Sequence, residues 1–277
     1  MPSKSFIKNK RVLVTGGAGS IGSELVRQLS AHNKVFILDI SERAYVIREE
    51  LRQDGRWVHS RTGDIRHKDT LYDVFSDFKP QIVFNAAALK HVTPNNEYPE
   101  EAFATNLFGT LNLIHEAKNW ECLDKFVQIS TDKVVNAKGI MGISKLAAES
   151  VVRLQDDRFV AVRFGNVMAS SGSVLEIWAK QVSSGKPITI TDKRMKRYMM
   201  TIPEACALAI KATKIKGRLV IFDMGAAENI WDLKIRLYGD YPTRIIGIRE
   251  GEVLEEGLMT QEESGMAKKV GDFFVIP

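Results

Sequence analysis

Apolar positions in the first two thirds of the chain follow two alternating rhythms. Short, mostly apolar runs occur at 11–15 (R-V-L-V-T), 34–39 (K-V-F-I-L-D), 81–88 (Q-I-V-F-N-A-A-A), 125–130 (K-F-V-Q-I-S) and 159–164 (F-V-A-V-R-F). Runs of this kind read as strands buried on both faces. W-V-H-S-R-T-G-D-I reads as one more strand, ending at Asp64. Between the runs, apolar residues recur at helical spacing, near 23–30, 44–52, 68–77, 98–118 and 139–155. Strand–helix alternation predicts an α/β fold with a doubly wound parallel sheet, and ligands at the carboxyl ends of the strands. Beyond Arg163 the pattern loosens and Ser, Gly and Lys become more frequent. Residues 1–164 are therefore expected to form the main domain, and 165–277 a smaller substrate-binding region. The helix E-A-C-A-L-A-I-K-A and the strand R-L-V-I-F, within 203–223, are expected to return to the main body. There are no internal repeats.

The first strand runs directly into a glycine-rich turn. Gly16, Gly19 and Gly22 are spaced G-x-x-G-x-x-G after Thr15, with Ser20 and Ile21 opening the helix. In such a turn the first glycine permits the bend. The second admits the pyrophosphate of a dinucleotide, and the third lets helix and strand pack closely. The anion would sit at the helix N-terminus, where free N–H groups favour it. Asp39 ends the next strand, where a carboxylate accepts hydrogen bonds from the adenosine ribose. Strand, glycines, helix, strand and acid in this order point to a Rossmann-type domain that binds NAD or NADP. Asp39 favours NAD, since it repels a 2′-phosphate, whereas Arg43 close by leaves NADP open.

Composition narrows the class. The chain has 277 residues, 44% of them hydrophobic, enough for a sizeable core. Its two cysteines, Cys122 and Cys206, lack metal-ligand spacing, and no metal is expected. They fit a reducing, cytoplasmic setting better than a disulfide framework. No apolar stretch approaches the roughly 18 residues needed to span a bilayer, so membrane insertion is not expected. The formal charge of +5 suits an anionic substrate as well as a solvated basic surface. No basic, aromatic-interleaved motif suggests nucleic acid.

Residues 130–145, S-T-D-K-V-V-N-A-K-G-I-M-G-I-S-K, carry the densest chemistry. Thr131, Asp132 and Lys133 follow an apolar strand, and Lys145 lies on the next helix. That layout suits hydride transfer with an acid and a base beside the reacting carbon. Met141 stands one helical turn before Lys145. Enzymes of this design usually carry tyrosine there, and a thioether has no proton to exchange.

Taken together, T-G-G-A-G-S-I-G, N-A-A-A-L-K-H-V, S-T-D-K, M-G-I-S-K, V-R-F-G-N-V, S-S-G-S-V, Y-M-M-T-I-P-E-A and I-R-E-G-E resemble the extended short-chain dehydrogenase/reductases. More narrowly, they resemble the capsular-polysaccharide group of nucleotide-sugar 4,6-dehydratases, typified by those acting on UDP-N-acetylglucosamine. Some members of that group carry methionine in the tyrosine slot. Glu250 stands where proline is common.

The resemblance implies a cycle in which a hydride leaves C4 of the hexose and returns at C6. In between, a base removes the C5 proton and an acid protonates the departing C6 hydroxyl. Lys133 is the expected base, provided its pKa is lowered. Asp132 is the expected acid, which requires a raised pKa. Adjacent opposite charges also make plain surface ion pairs. Thr131 is placed to hydrogen-bond the C4 oxygen, and Lys145 to hold the nicotinamide ribose. Met141 packs beside the ring, so deprotonation of O4 falls to Lys133, Thr131 or a water relay.

Asp64 and Ile65 are expected to border the adenine, and Ala86, Ala87 and Ala88 to let the cofactor pass. Lys90, His91, Asn166 and Glu252 are expected to face the UDP-sugar, and Arg197 and Arg249 its diphosphate. The family's pairing of helices across a two-fold axis implies a homodimer or an assembly of dimers. It would use Phe103, Leu107, Leu111, Leu146 and Val151. A 4-epimerase or reductase on the same scaffold, and a non-catalytic cofactor sensor, are the alternative readings.

Overall fold

The structure, a computed structural model, describes residues 7–248 and 251–277. Arg249 and Glu250 lie outside the described residues, so the role expected of Arg249 is not tested by the fold.

The main body alternates β1 (Arg11–Thr15), α1 (Ser20–Ser30), β2 (Lys34–Asp39), α2 (Arg43–Gln53), β3 (Val58–Thr62), α3 (Lys68–Phe78) and β4 (Ile82–Asn85). It continues through α4 (Val92–Glu97), α5 (Pro99–Phe103), α6 (Gly109–Asn119), β5 (Lys125–Ile129), α7 (Ile140–Arg153) and β6 (Phe159–Arg163). The remainder comprises β7 (Asn166–Val167), α8 (Val174–Ser183), β8 (Ile188–Ile190), β9 (Lys196–Arg197), β10 (Met199–Met200), α9 (Ile202–Ala212) and β11 (Leu219–Phe222). Then come β12 (Glu228–Asn229), α10 (Ile230–Tyr238), β13 (Thr243–Ile245), α11 (Gln261–Met266), β14 (Lys268–Val270) and β15 (Phe273–Ile276).

Nine strands form one sheet in the order β14-β15-β11-β6-β5-β4-β1-β2-β3. Every pairing from β3 to β11 is parallel, and β15 and β14 close the edge antiparallel. This is the doubly wound Rossmann-type sheet that the alternation predicts. Successive residues of a strand face opposite sides. Val12 and Val14 accordingly join a core with Leu25, Val26 and Ala209, while Leu13 joins a second with Val74, Phe75 and Leu113.

Helix α9 packs on α1, and β11 pairs with β6. Its start is set by a capping box between Thr201 and Glu204. Residues 268–276 differ from the expectation. They lay in the looser C-terminal third, yet β15 pairs with β11 and buries Phe273 and Val275 in the sheet core. Alternating Phe and Val in F-F-V-I is the physical reason. A separate small core of Trp178, Ile188, Ile190, Met195, Ile230 and Leu233 holds the rest of that third together.

The helix expected over 98–118 is broken into α5, a π-helical turn at Ala104–Phe108, and α6. Such turns are rare and frequent near functional sites. This one buries Asn106, whose side chain clamps both backbone groups of Leu89 and donates to Ser144 Oγ at 2.9 Å.

Candidate active site

The glycine turn leaves no room for a side chain at Gly16 or Gly22. Gly16 has φ +65°, and a Cβ there would lie 2.6 Å from Ala87 N. At Gly22 it would lie 2.0 Å from Gly16 O. Helix α1 starts at Gly19 with no side chain capping its first N–H groups, and its first turn has no acid. An anion would therefore meet unopposed donors there. Asp39 Oδ2 accepts the Ala18 N–H at 2.8 Å and Oδ1 the Ser41 N–H at 2.9 Å. The acid braces the turn. Arg43 is exposed at the start of α2.

Asp64 is tied to Arg66 at 2.7 Å. Burial pushes its carboxyl up, but the Arg66 hydrogen bonds outweigh this and hold it below the usual carboxylate range. Ile65 is buried against Gly109. Thr15 is fully buried and donates to Asn85 Oδ1 at 2.6 Å. Asn85 donates to Gln128 and Thr110, Thr110 to the Asn106 carbonyl, and Ser144 to the Met141 carbonyl. With the Asn106–Ser144 bond, this buried polar chain runs from the glycine turn to Met141 and fixes both ends of the site.

A cavity of about 540 Å³ opens between the turn and α7. It is lined by Gly16, Gly19, Ser20, Ile21, Gly22, Ala86, Ala88, Lys90, His91, Thr131, Lys133, Met141, Lys145 and Asn166, together with residues 170–175. Of the residues expected around the cofactor, Gly16, Gly19, Ser20, Ile21, Gly22, Ala86, Ala88 and Lys145 thus converge, whereas Thr15, Asp39, Arg43, Asp64, Ile65 and Ala87 do not line this cavity. Lys145 Nζ donates to the Ile129 carbonyl at 2.6 Å, and burial pushes its ammonium down to about 8. Residues 170–173 lie across the cavity as a strap. The Ser171 N–H donates to Ser20 Oγ at 3.0 Å, Lys90 Nζ donates to the Ser171 carbonyl at 2.7 Å, and the His91 ring lies against Gly172.

A second cavity of about 260 Å³ adjoins on the side of the small lobe, lined among others by Lys133, Met141, Asn166, Arg197, Glu252 and Glu256. Lys133 stands between the two cavities. Its Nζ donates to Asn166 Oδ1 at 2.7 Å, Asp132 Oδ1 at 3.1 Å and Glu256 Oε2 at 3.1 Å.

This cluster departs from the expected proton assignments. Burial alone would lower the pKa of Lys133, but Asp132 and Glu256 outweigh it and raise it above the ordinary lysine value. Burial alone would raise that of Asp132, but Lys133 and the hydrogen bonds around it outweigh it and lower it. The carboxyl whose pKa is raised is Glu256, pushed up to about 7 chiefly by burial. Glu256 was not singled out from the sequence, where it is one of several glutamates in E-G-E-V-L-E-E with no motif to mark it.

Arg197 also differs from its expected use on a diphosphate. It is buried, and its guanidinium donates to the Lys196, Leu254 and Val253 carbonyls and approaches Glu256 Oε1 at 3.4 Å. It is a strut for the segment carrying Glu256. Thr131 Oγ1 donates to Asp132 Oδ1 at 3.0 Å while lining the larger cavity. Among the described residues no His, Cys, Asp or Glu cluster could hold a metal, and no helix is long and apolar enough to cross a membrane.

A family profile described as "Polysaccharide biosynthesis protein" matches residues 12–277. The chain belongs to this family. It is 42% identical to the capsular polysaccharide biosynthesis protein CapD of Staphylococcus aureus, over 93% of this chain and 46% of CapD. The chain thus spans about half the length of that relative. Among solved structures it resembles Pen from Bacillus thuringiensis, at 34% identity and TM-score 0.89, over 98% of this chain and 89% of Pen. It also resembles the UDP-glucose 4-epimerase of Thermus thermophilus solved in complex with NAD. There the identity is 25%, the TM-score 0.76, and 90% of each chain is covered.

Proposed function

We propose that the chain is a nucleotide-sugar 4,6-dehydratase that converts UDP-N-acetylglucosamine to a UDP-4-keto-6-deoxy sugar, with NAD or NADP as resident cofactor. The observation that supports this most is the packing of Lys133 against Asp132, Asn166 and Glu256, between the cofactor cavity and the small-lobe cavity. The T. thermophilus epimerase, whose complex contains NAD, supports a nicotinamide cofactor.

A bound nicotinamide would accept the hydride from C4 and return it at C6. The chain's own residues do the rest. Thr131 orients the C4 oxygen. Lys145, with a pKa near 8, lies near enough to neutrality to pass a proton and positive enough to favour a developing oxyanion. Once C4 is a ketone, the C5 proton is acidic, and Lys133, which lines both cavities, takes it after passing its own proton to a neighbouring carboxylate 3.1 Å away. Met141 is buried beside Lys133 and exchanges no proton.

The likeness to epimerases favours 4-epimerisation as the second reading. That reaction inverts C4 and has no use for an acid at C6, whereas this site packs two carboxyls around one lysine. A stopped-flow trace at 340 nm tests the internal hydride cycle that both readings share. Sustained product formation with no net growth of reduced cofactor is expected, since the hydride leaves and returns within one site. Steady growth of the 340 nm signal would make the chain an ordinary dehydrogenase.

A further inference from the structure

One residue of the strap, Ser171, is tied to two walls of the larger cavity. Its N–H donates at 3.0 Å to Oγ of Ser20, the first residue of α1. Its carbonyl accepts at 2.7 Å from Nζ of Lys90, between β4 and α4. Both ties are exposed, so water can replace them. The backbone on either side of Ser171 is left-handed, with φ +57° at Ala169 and +71° at Gly172. A residue with a Cβ avoids that region, and such strain persists only where the surroundings hold it. The far end of the strap is anchored to α8, where Glu176 Oε2 accepts the Gly172 N–H at 2.6 Å. Gly172 and Val174 line both cavities, so the strap is also part of the wall between them.

We infer that the strap is a gate, latched at Ser171 by Ser20 and Lys90, which a dinucleotide must open both to enter and to leave the cavity; this rests on the nicotinamide cofactor proposed above. The α1 N-terminus, where a pyrophosphate meets free N–H groups, is the very wall to which Ser20 ties the strap. A cofactor seated there lies behind the latch. In a cycle that restores its cofactor at each turnover, nothing has to leave this cavity between turnovers, and a shut strap does not slow the cycle. The ties join strap to wall, not strap to cofactor. They therefore hold the strap alike whether the cavity is filled or free, and a ligand that favours neither state shifts neither. Such a gate slows entry and release by the same factor and leaves affinity unchanged. A binding contact would instead change release and affinity together.

The test follows NADH association and release by stopped-flow fluorescence, with release started by chasing the loaded protein with excess NAD. NADPH and NADP take their place if NADH does not bind. Wild type is compared with K90M, S20A and K90R. Losing the Lys90 bond should speed association and release alike, each about 3–30-fold, and losing the Ser20 bond each about 2–10-fold. Kd should stay the same in both variants. K90R keeps a donor and should stay close to wild type in both rates. Faster release with unchanged association, and hence a weaker Kd, makes the two side chains cofactor contacts and overturns the gate. Rates unchanged in both directions overturn it as well. Either result leaves the dehydratase reading intact, since product formation is scored separately. A wild type that binds neither NADH nor NADPH overturns the gate together with the cofactor proposal.

Discussion

Arg163, the last residue of β6, is fully buried and donates to Glu263 Oε2 at 2.7 Å, 100 residues further along the chain. The same guanidinium donates to both oxygens of buried Glu149 on α7 and to the Leu258 carbonyl. Glu149 also accepts from Ser130 Oγ, at the end of β5. The segment carrying Glu256 is therefore held at Leu258 and Glu263 by one side chain of the central sheet. Site geometry and fold stability meet in this residue.

Removing one member of a buried ion network leaves uncompensated charge and costs about 3–5 kcal/mol. Arg163→Met should therefore lower Tm by roughly 6–20 °C for a chain of this size. Adding Glu149→Gln and Glu263→Gln should recover much of the loss. Differential scanning calorimetry checks this. A shift below about 2 °C would show that the network contributes little.

The glycine turn gives a sharper contrast. A Cβ at Gly22 meets backbone at 2.0 Å, so Gly22→Ala should abolish cofactor binding. At Gly17 the nearest obstacle is Ile37 Cγ2 at 2.6 Å, a side-chain atom, with the nearest backbone atom, Val14 O, at 3.2 Å. Gly17→Ala should weaken binding far less, as read by calorimetric titration with NAD. Equal losses would mean that the tightness of the turn does not govern the site.

Lys133→Ala removes the group that takes the C5 proton and should cost about 10²–10⁴-fold in turnover, with cofactor binding nearly intact. Met141→Ala removes no exchangeable proton. It opens a buried gap and should cost some stability, about 2–5 kcal/mol, and less activity. An equal loss of turnover in a folded, cofactor-loaded Met141→Ala protein would reassign the roles.

The helices near the site carry an apolar face that the subunit leaves open. Phe108 is 58% exposed, Ile143 40%, and Leu111 and Leu146 37% each. Phe103, Leu107 and Val151, also expected on this face, are half-buried within the subunit. We propose that this face pairs with its copy in a homodimer. Phe108→Asp with Leu146→Asp should then shift sedimentation from dimer to monomer at micromolar concentration. A monomeric wild type would remove the proposal.

Local signals made most of the fold legible. Uninterrupted apolar runs marked the parallel strands, and the three glycines marked the turn, because in both cases the physical constraint acts within a few residues. Two features escaped for the opposite reason. Asn106 and its π-helical turn serve Leu89 and Ser144, which are distant in sequence. Glu256 owes its raised pKa to burial and to Asp132, over a hundred residues away, against the opposing charge of Lys133. The signs expected for Asp132 and Lys133 failed on the same residue. With Glu256 unseen, nothing in S-T-D-K indicated that a second carboxyl would be the one with the raised pKa. Arg197 is similar: its partners are the carbonyls of 253–254, which no spacing rule connects to it.

The central claim is internal dehydration of a UDP-sugar. Its most direct test is proton NMR of the purified protein with NAD and UDP-N-acetylglucosamine in deuterated water. The account predicts a new 6-deoxy methyl signal and a hydrated 4-keto carbon. It also predicts deuterium at C5 from solvent, and no deuterium at C6 beyond what a C4-deuterated substrate delivers there. A product that keeps its C6 hydroxyl and differs only in C4 configuration would contradict it and make the chain an epimerase.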